Sequence, residues 1–249
     1  MKYMVCLALL TIFRASHQPL LSGNKYRAML ISYTKKLFIL CATLFLVGCK
    51  PEMMNIEVYT SDIELAAEGE LFEVPVQVEF SLLGDDEDGT LDRVIAASKK
   101  YLSQDSSFSR SKGMMGDRLV IDTKLPLGNA SALSDFLSKN NRLAYIEVSR
   151  DDDAKFVFID KTSNLVSFHR ELQSMNMLLG LDLPSTKTII RVSSDSRKPV
   201  DVYATAVFVS KKPYLHFEKS LNRREAVELE FNGSEGSVYT EIYPTFAIQ

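Results

Sequence analysis

The feature that most constrains this chain is an apolar run that ends at a cysteine. Residues 37–48 (LFILCATLFLVG) are apolar or small, follow the basic pair Lys35-Lys36 and stop at Cys49. Twelve residues rise only about 18 Å as a helix, which is too short for a hydrocarbon core of about 30 Å. A basic start, an apolar stretch of this length and small residues at its end are typical of a cleaved secretory signal. We therefore expect the folded part to begin after Cys49.

Charge and cysteine content change at the same point. Six of the 29 basic residues and none of the 32 acidic residues precede Cys49, so the chain from Cys49 onward carries a net charge of −9. An acidic surface without a basic block repels phosphate backbones, which predicts no nucleic-acid partner. The three cysteines are Cys6, Cys41 and Cys49. Cleavage before Cys49 leaves a single cysteine and hence no internal disulfide.

The residues around the cysteine carry a family resemblance. Leu46-Val47-Gly48-Cys49 resembles the lipobox of bacterial lipoproteins. The resemblance implies a diacylglycerol on the Cys49 thiol, cleavage between Gly48 and Cys49, and acylation (palmitate) of the new amino terminus. Several acyl chains on one residue form a stable membrane anchor, where a single chain is marginal. The alternative is an uncleaved signal anchor with a chance cysteine.

The same resemblance predicts domain boundaries. Met29 is a better start for a normal signal peptide than Met1, so residues 1–28 are predicted to be an upstream extension. Residues 29–48 are then the signal peptide and residues 49–55 a lipidated tether. We expect residues 56–249 to form a single α+β periplasmic domain, with a sub-boundary near 183–187 as the alternative.

The residue after the cysteine bears on the location. In enteric-type lipoproteins Asp at that position favours retention in the inner membrane, and here it is Lys50. The resemblance therefore implies the outer membrane, facing the periplasm, with the periplasmic face of the inner membrane as the alternative. It extends to small enteric lipoproteins of unknown activity, including the prophage-borne YafY/YfjS-like lipoproteins, although residues 35–50 alone carry it.

Period-2 and period-3.6 segments alternate after Cys49. Leu71–Leu82 is the clearest strand, because Val74, Val76, Val78 and Phe80 alternate with polar residues; Pro75 predicts a local sheet edge. Helices are predicted over 90–103, 132–139 (capped by Ser131) and 162–179, with a helical turn or two over 61–68 that Gly69 stops. The other predicted strands are 56–60, 108–112, 118–127, 142–150, 155–160, 188–193, 200–210, 214–219, 226–231 and 237–243. The predicted fold class is α+β, with antiparallel sheets, about three helices on one face and a strand-rich C-terminal part.

Two acidic turns invite a calcium interpretation. If Gly89 of the turn 85–89 takes the sixth position of an EF-hand loop, Gly84 and Ile95 fall at its two end positions, and neither can be a ligand. We therefore expect a solvated loop whose last acid, Asp88, favours the following helix N-terminus. The triple aspartate Asp151–Asp153 is expected to be an exposed hairpin tip.

The remaining candidates are isolated. His169 and His216 each lack a nearby second histidine, and Ser109–Lys112 matches S-x-x-K in a predicted strand, where period 2 separates the two side chains. The sequence thus predicts no catalytic residue, no metal, no cofactor and no enzyme activity. The expected function is a lipid-anchored envelope module that acts through an envelope protein partner. The alternative is a small-ligand or lipid-binding domain with a cavity between sheet and helices.

Overall fold

The computed structural model describes residues 51–82, 85–113, 116–175, 186–231 and 244–249. The strands are β1 Pro51–Tyr59, β2 Phe72–Ser81, β3 Ser107–Lys112, β4 Asp117–Gly128, β5 Ala144–Asp151, β6 Ala154–Lys161, β7 Lys187–Ser193, β8 Val200–Val209, β9 Lys212–Leu221, β10 Ala226–Phe231 and β11 Phe246–Ile248. The helices are α1 Thr60–Glu68, α2 Thr90–Ser98, α3 Ala130–Leu137 and α4 Ser163–Met175.

The strands form a closed nine-strand barrel, so the predicted layered α+β fold is wrong. The order around the barrel is β10-β7-β1-β2-β4-β5-β6-β11-β8, and β8 returns to β10 at the pair Phe208–Glu230. β3 and β9 extend the sheet outside this ring, beside β4 and β8. Two neighbouring pairs are parallel, β1 with β7 and β4 with β5. The β1–β7 pair joins, in one sheet, the two parts of the chain that a sub-boundary near 183–187 would separate.

Local patterns predicted the strands well but missed what closes the ring. β11 has three residues and joins β6 to β8. Strand β8 departs from regular alternation at Ala206, whose φ is +50°. Val202 and Ala204 before it and Val207 after it are all buried in the barrel core. This irregularity lets the end of β8 reach β10.

Two clusters of apolar side chains fill the described part of the molecule. The barrel interior holds the larger one, to which β2 contributes Val74 and Val76. Farther along the same face of β2, Phe80 belongs to a second cluster together with Leu91 of α2 and Phe168 of α4. The predicted alternation of β2 is therefore confirmed, and one strand face serves both cores.

The helices occupy separate positions, not one face of a sheet. Helix α1 contacts β1, β4, β5 and β6, which places it across an end of the barrel. Ile63 and Ala66 of α1 are fully buried in the barrel core. Helices α2 and α4 pack on each other, and α3 lies in the connection between β4 and β5. Side chains fill the closed part of the barrel, and α2 and α4 pack on the same face of β2 only farther along the strand, at Phe80.

The helix boundaries follow recognisable signals. Helix α1 ends, as predicted, at Gly69, whose φ is +110°. The Gly69 N–H donates a hydrogen bond to the Ala66 carbonyl, which forms a Schellman-type cap. Helix α3 is capped by the side chain of Asn129, which accepts from the Ala132 N–H at 3.0 Å, and not by the predicted Ser131. α2 ends at Ser98, five residues earlier than expected.

The start of β1 revises the expected tether. The strand begins at Pro51 and not at Ile56, so residues 51–55 belong to the barrel wall. Pro75 lies on β2, which has a neighbour on each side, but the ladder with β1 stops at Val76. Proline has no backbone N–H, but no hydrogen bond between β2 and β1 is lost at Pro75. The predicted strand 237–243 lies outside the described residues.

A remote carboxylate caps α1. Asp195, in the loop after β7, accepts hydrogen bonds from Thr60 Oγ1 at 3.1 Å and from the Ser61 N–H and hydroxyl at 3.1 and 2.5 Å. Partial burial raises the pKa of Asp195, but these donors outweigh it and the net pKa is lowered. Burial, together with the Asp195 charge, raises the pKa of Asp62.

We expect Asp195→Ala to lower the free energy of unfolding at pH 7 by about 1 kcal/mol, the usual value of a helix cap. Folding lowers the Asp195 pKa below the unfolded value of about 3.9. The cap therefore stabilises the folded protein fully at pH values above the unfolded pKa. Its contribution is lost as the pH falls through the folded pKa. Urea unfolding at pH 7, 5 and 3 should show the variant and the parent converging in acid. Asp153→Ala, at an exposed turn, is the control, and a pH-independent deficit for Asp195→Ala would contradict the capping role.

Candidate interaction site on the barrel wall

A row of side chains crosses four adjacent strands on the outer wall. Ala247 of β11 pairs with Phe156 of β6 and with Tyr203 of β8, and Tyr203 pairs with Glu218 of β9. Phe246 and Ile248 belong to the barrel core, so Ala247 between them faces outward. Its methyl group leaves a depression between two aromatic side chains. This is the Ala247 groove.

The Ala247 groove is an open, mainly apolar depression of about 440 Å³. Its lining residues are Phe156, Tyr203, Ala204, Thr205, His216, Phe217, Glu218, Pro244, Phe246 and Ala247. Apolar walls with a few polar groups at the margin are typical of binding sites. The arrangement can hold one apolar side chain above Ala247.

The charge at the groove margin is negative. Loss of solvent raises the pKa of Tyr203, and the carboxylates of Glu218 and Asp201 raise it further. Tyr203 is therefore a neutral phenol at physiological pH. Carboxylates beside an aromatic face favour a cationic group on a bound partner.

The hairpin that forms one side of the groove carries exposed apolar residues at its tip. Strands β8 and β9 are joined by Ser210 and Lys211, which have φ of +51° and +65°, as a tight two-residue hairpin turn requires. Leu215 is 74% exposed and Tyr214 is 38% exposed. The sequence pattern showed a strand here but gave no signal that it projects from the sheet.

The acidic turn is held by ion pairs and caps a helix. Asp86 accepts from the Thr90 and Leu91 N–H groups at 2.6 and 3.1 Å, so it caps α2. Asp85 pairs with Lys112 of β3 at 2.5 Å. Within the described ranges, no group of three or more His, Cys, Asp or Glu residues is placed to hold a metal ion. An acid of this turn does stabilise the helix N-terminus, but it is Asp86 and not the predicted last acid, Asp88.

The triple aspartate is an exposed hairpin tip, as predicted. Asp152 has a φ of +49° between β5 and β6, and all three carboxylates face solvent.

The isolated candidates lie apart from the Ala247 groove, with one exception. His169 lies partly buried on α4, while His216 lines the groove on β9, opposite Thr205. Ser109 and Lys112 both lie on β3, where Lys112 pairs with Asp117 at 2.8 Å. Lys112 therefore has a structural role as a partner in ion pairs, and the carboxylates of Asp117 and Asp85 raise its pKa.

A small apolar cavity lies where the two cores meet. It measures about 60 Å³ and is bordered by Met54, Val76, Phe80, Leu165 and Phe168, among others. Cavities of about 150 Å³ are the size that binds benzene. A lipid chain therefore does not fit this cavity as it stands.

The proposed lipidation site, Cys49, and the preceding Gly48 lie outside the described residues. None of the helices in the described ranges combines the length and hydropathy that a bilayer crossing requires.

Comparison with known proteins adds no family. No protein-family model matches the chain, and no curated protein matches it. Among solved structures, the chain is similar to the NMR structure of the folded domain of Mycobacterium tuberculosis LppM. The identity is 9%, the TM-score is 0.23, and the match covers 78% of this chain and 94% of that chain. At this TM-score the similarity carries no argument about function. None of these comparisons supports the more specific resemblance to YafY/YfjS-like lipoproteins.

Proposed function

We propose that the protein is a lipid-anchored cell-envelope module that binds an extended segment of another envelope protein in the Ala247 groove. Acylated Cys49 would attach it to the outer membrane on the periplasmic side. The observation that carries the binding role is the row Phe156–Ala247–Tyr203, which leaves an outward depression between two aromatic side chains. The activity is binding, without a catalytic step.

The chemistry of the groove specifies the partner. Burial of one Leu- or Phe-sized side chain contributes about 1.5–3 kcal/mol, and a cation over the Tyr203 ring adds about 0.5–1 kcal/mol. Glu218 lies next to Tyr203 across the strand pair, so an apolar residue followed by Lys or Arg fits best. Such a contact is weak alone, and anchoring both proteins to one membrane raises their effective concentration.

Photo-crosslinking in living cells tests this proposal. A photoreactive amino acid at Thr205, an exposed groove residue, should give a discrete crosslinked product. The same amino acid at Val166, which is exposed on α4, is the control and should not give that product.

A second substitution makes the test specific to the groove. Ala247→Leu extends an apolar side chain outward into the depression, so it should remove the Thr205 product while leaving the unfolding transition nearly unchanged. A Thr205 product that persists in Ala247→Leu, or an equal product from Val166, would refute binding in the groove.

A further inference from the structure

The outer edge of β9 carries backbone hydrogen-bonding groups that β8 does not use. Strand β9 runs from Lys212 to Leu221, and among the described residues it pairs with β8 alone. All of its side chains except that of Leu221 are exposed or half-buried. A free edge of this length is a template for another strand, and proteins normally shorten, bend or cover such edges. Pro213 protects only the end next to the turn, so the rest of the β9 edge is a candidate contact surface.

The hydrogen bonds of β8 determine which groups of β9 face outward. Asp201 of β8 and Gln249, which follows β11, exchange two backbone hydrogen bonds of 2.9 Å. Successive residues of a strand direct their N–H and C=O groups to opposite sides. The groups of Ala204 therefore face β9, where Ala204 pairs with Phe217. The β9 groups that face the free edge are those of the even-numbered residues His216, Glu218 and Ser220.

This pattern changes near the turn of the hairpin. Val209 and Lys212 flank the two-residue turn and therefore form a hydrogen-bonded pair. Tyr214 lies two residues farther along β9, so its backbone groups also face β8. The change coincides with Ala206 of β8, whose φ is +50°. Residues 216–220 are therefore the regular part of the free edge.

One antiparallel register of β9 against a second β9 uses these groups best. With a two-fold axis at Phe217, Glu218 lies opposite His216 of the second copy, and the symmetry repeats this pair. Both pairs join outward-facing groups and bring a carboxylate to an imidazole. An axis at His216 leaves one such pair, because Glu218 then lies opposite Tyr214, whose groups face β8. Axes at Glu218 and Lys219 place like charges directly opposite each other, which destabilises a sheet. Axes farther along in either direction leave at most one pair of outward-facing groups.

We infer that two copies of the protein associate through their β9 edges as antiparallel strands, with a two-fold axis at Phe217. On the outer face of the sheet, Glu218 of each copy contacts His216 of the other. On the opposite face, the two Phe217 side chains meet beside exposed Leu215. Opposite-charge and aromatic cross-strand pairs stabilise sheets, and a two-fold contact repeats each of them. The two Ala247 grooves then lie on one face of a continuous sheet.

Disulfide trapping in cells tests this register. One tagged copy of the full-length protein carries His216→Cys, and a second copy with a different tag carries Glu218→Cys. Their Cα atoms should lie about 5.5 Å apart, within the range of a disulfide, so a membrane-permeant oxidant should give a product with both tags. One Glu218–His216 pair stays intact in this mixed dimer. The matched control is Ser220→Cys with Glu218→Cys, which has the same spacing along β9 but places the Cα atoms about 14 Å apart.

We expect the His216→Cys and Glu218→Cys combination to give the mixed product in clear excess over the control. Equal or reversed yields from the two combinations would overturn the inference. So would the absence of a mixed product from both, which is the result expected if residues 232–243 of the same chain, or another envelope protein, cover the edge.

Charge exchange tests the same contact without cysteines. Glu218→Lys should weaken the association of two copies about tenfold, because two identical cross-strand pairs are lost together. Adding His216→Glu restores opposite charges and should return the dissociation constant to near the parent value. Glu68→Lys, at an exposed position of α1, makes the same charge change and should have no effect. Sedimentation equilibrium of the purified full chain in detergent compares them, and a double variant that associates no more tightly than Glu218→Lys would contradict the pairing.

The groove-filling substitution keeps the two proposals apart. Ala247 lies two strands away from the free edge of β9, so Ala247→Leu should leave the yield of the mixed disulfide unchanged while it removes the Thr205 product. Failure of the β9 contact therefore leaves binding in the groove standing, and the reverse also holds.

Discussion

Cys49→Ser should move the protein from the membrane fraction to the soluble periplasmic fraction. Two or more acyl chains on one residue hold a protein stably in a bilayer, whereas one chain gives only reversible binding, so their loss should reduce membrane partitioning by roughly a hundredfold or more. Cell fractionation measures the change.

Cys41→Ser is the matched control for this experiment. Cys41 lies in the apolar run before the proposed cleavage site, so its thiol is absent from the mature protein and its replacement should not alter partitioning. Membrane association that is the same in Cys49→Ser, Cys41→Ser and the parent would contradict the anchor.

Phe168→Ala should lower the free energy of unfolding by about 4 kcal/mol, as truncation of a buried aromatic residue does. Phe168 is 1% exposed in the second core, and its ring lies 5.4 Å from that of Tyr101. It also borders the small apolar cavity of about 60 Å³, so its removal enlarges a void that already exists.

Val166→Ala is the control for the core substitution. Val166 lies two residues earlier on the same helix and is 48% exposed, so the change should stay within about 0.5 kcal/mol. Denaturant unfolding of both variants measures the difference. A loss of less than about 1 kcal/mol for Phe168→Ala would mean that α4 is not packed on the sheet as described.

Local patterns predicted individual elements because each pattern reports burial of one face. The alternation of β2 and the stripe of α2 and α4 gave elements of the right type at nearly the right positions. The exposed Asp152 turn and the stop at Gly69 followed from conformational preferences that belong to the residues themselves.

The closed ring could not be predicted in the same way. Closure depends on which strands pair, and β11 is only three residues long, too short to show a period. The pair Phe208–Glu230 depends on the bend at Ala206, a residue with no intrinsic preference for a positive φ. A layered sheet and a closed barrel share the same alternation, so the period alone did not separate them.

The Ala247 groove could not be predicted from the sequence for a related reason. Its floor is a single alanine in the strand that the sequence analysis missed, and its walls come from β6 and β8, which are distant in sequence. Of the singled-out residues, His216 lines the groove, and no sequence motif marked Phe156 or Tyr203.

The mass of the amino-terminal peptide of the mature protein, purified from membranes, tests the central proposal most directly. The account predicts a peptide that begins at Cys49 and carries a diacylglyceryl group on its sulfur and an acyl group on its amino nitrogen. An unmodified Cys49, or a chain that still carries residues 29–48, would contradict it.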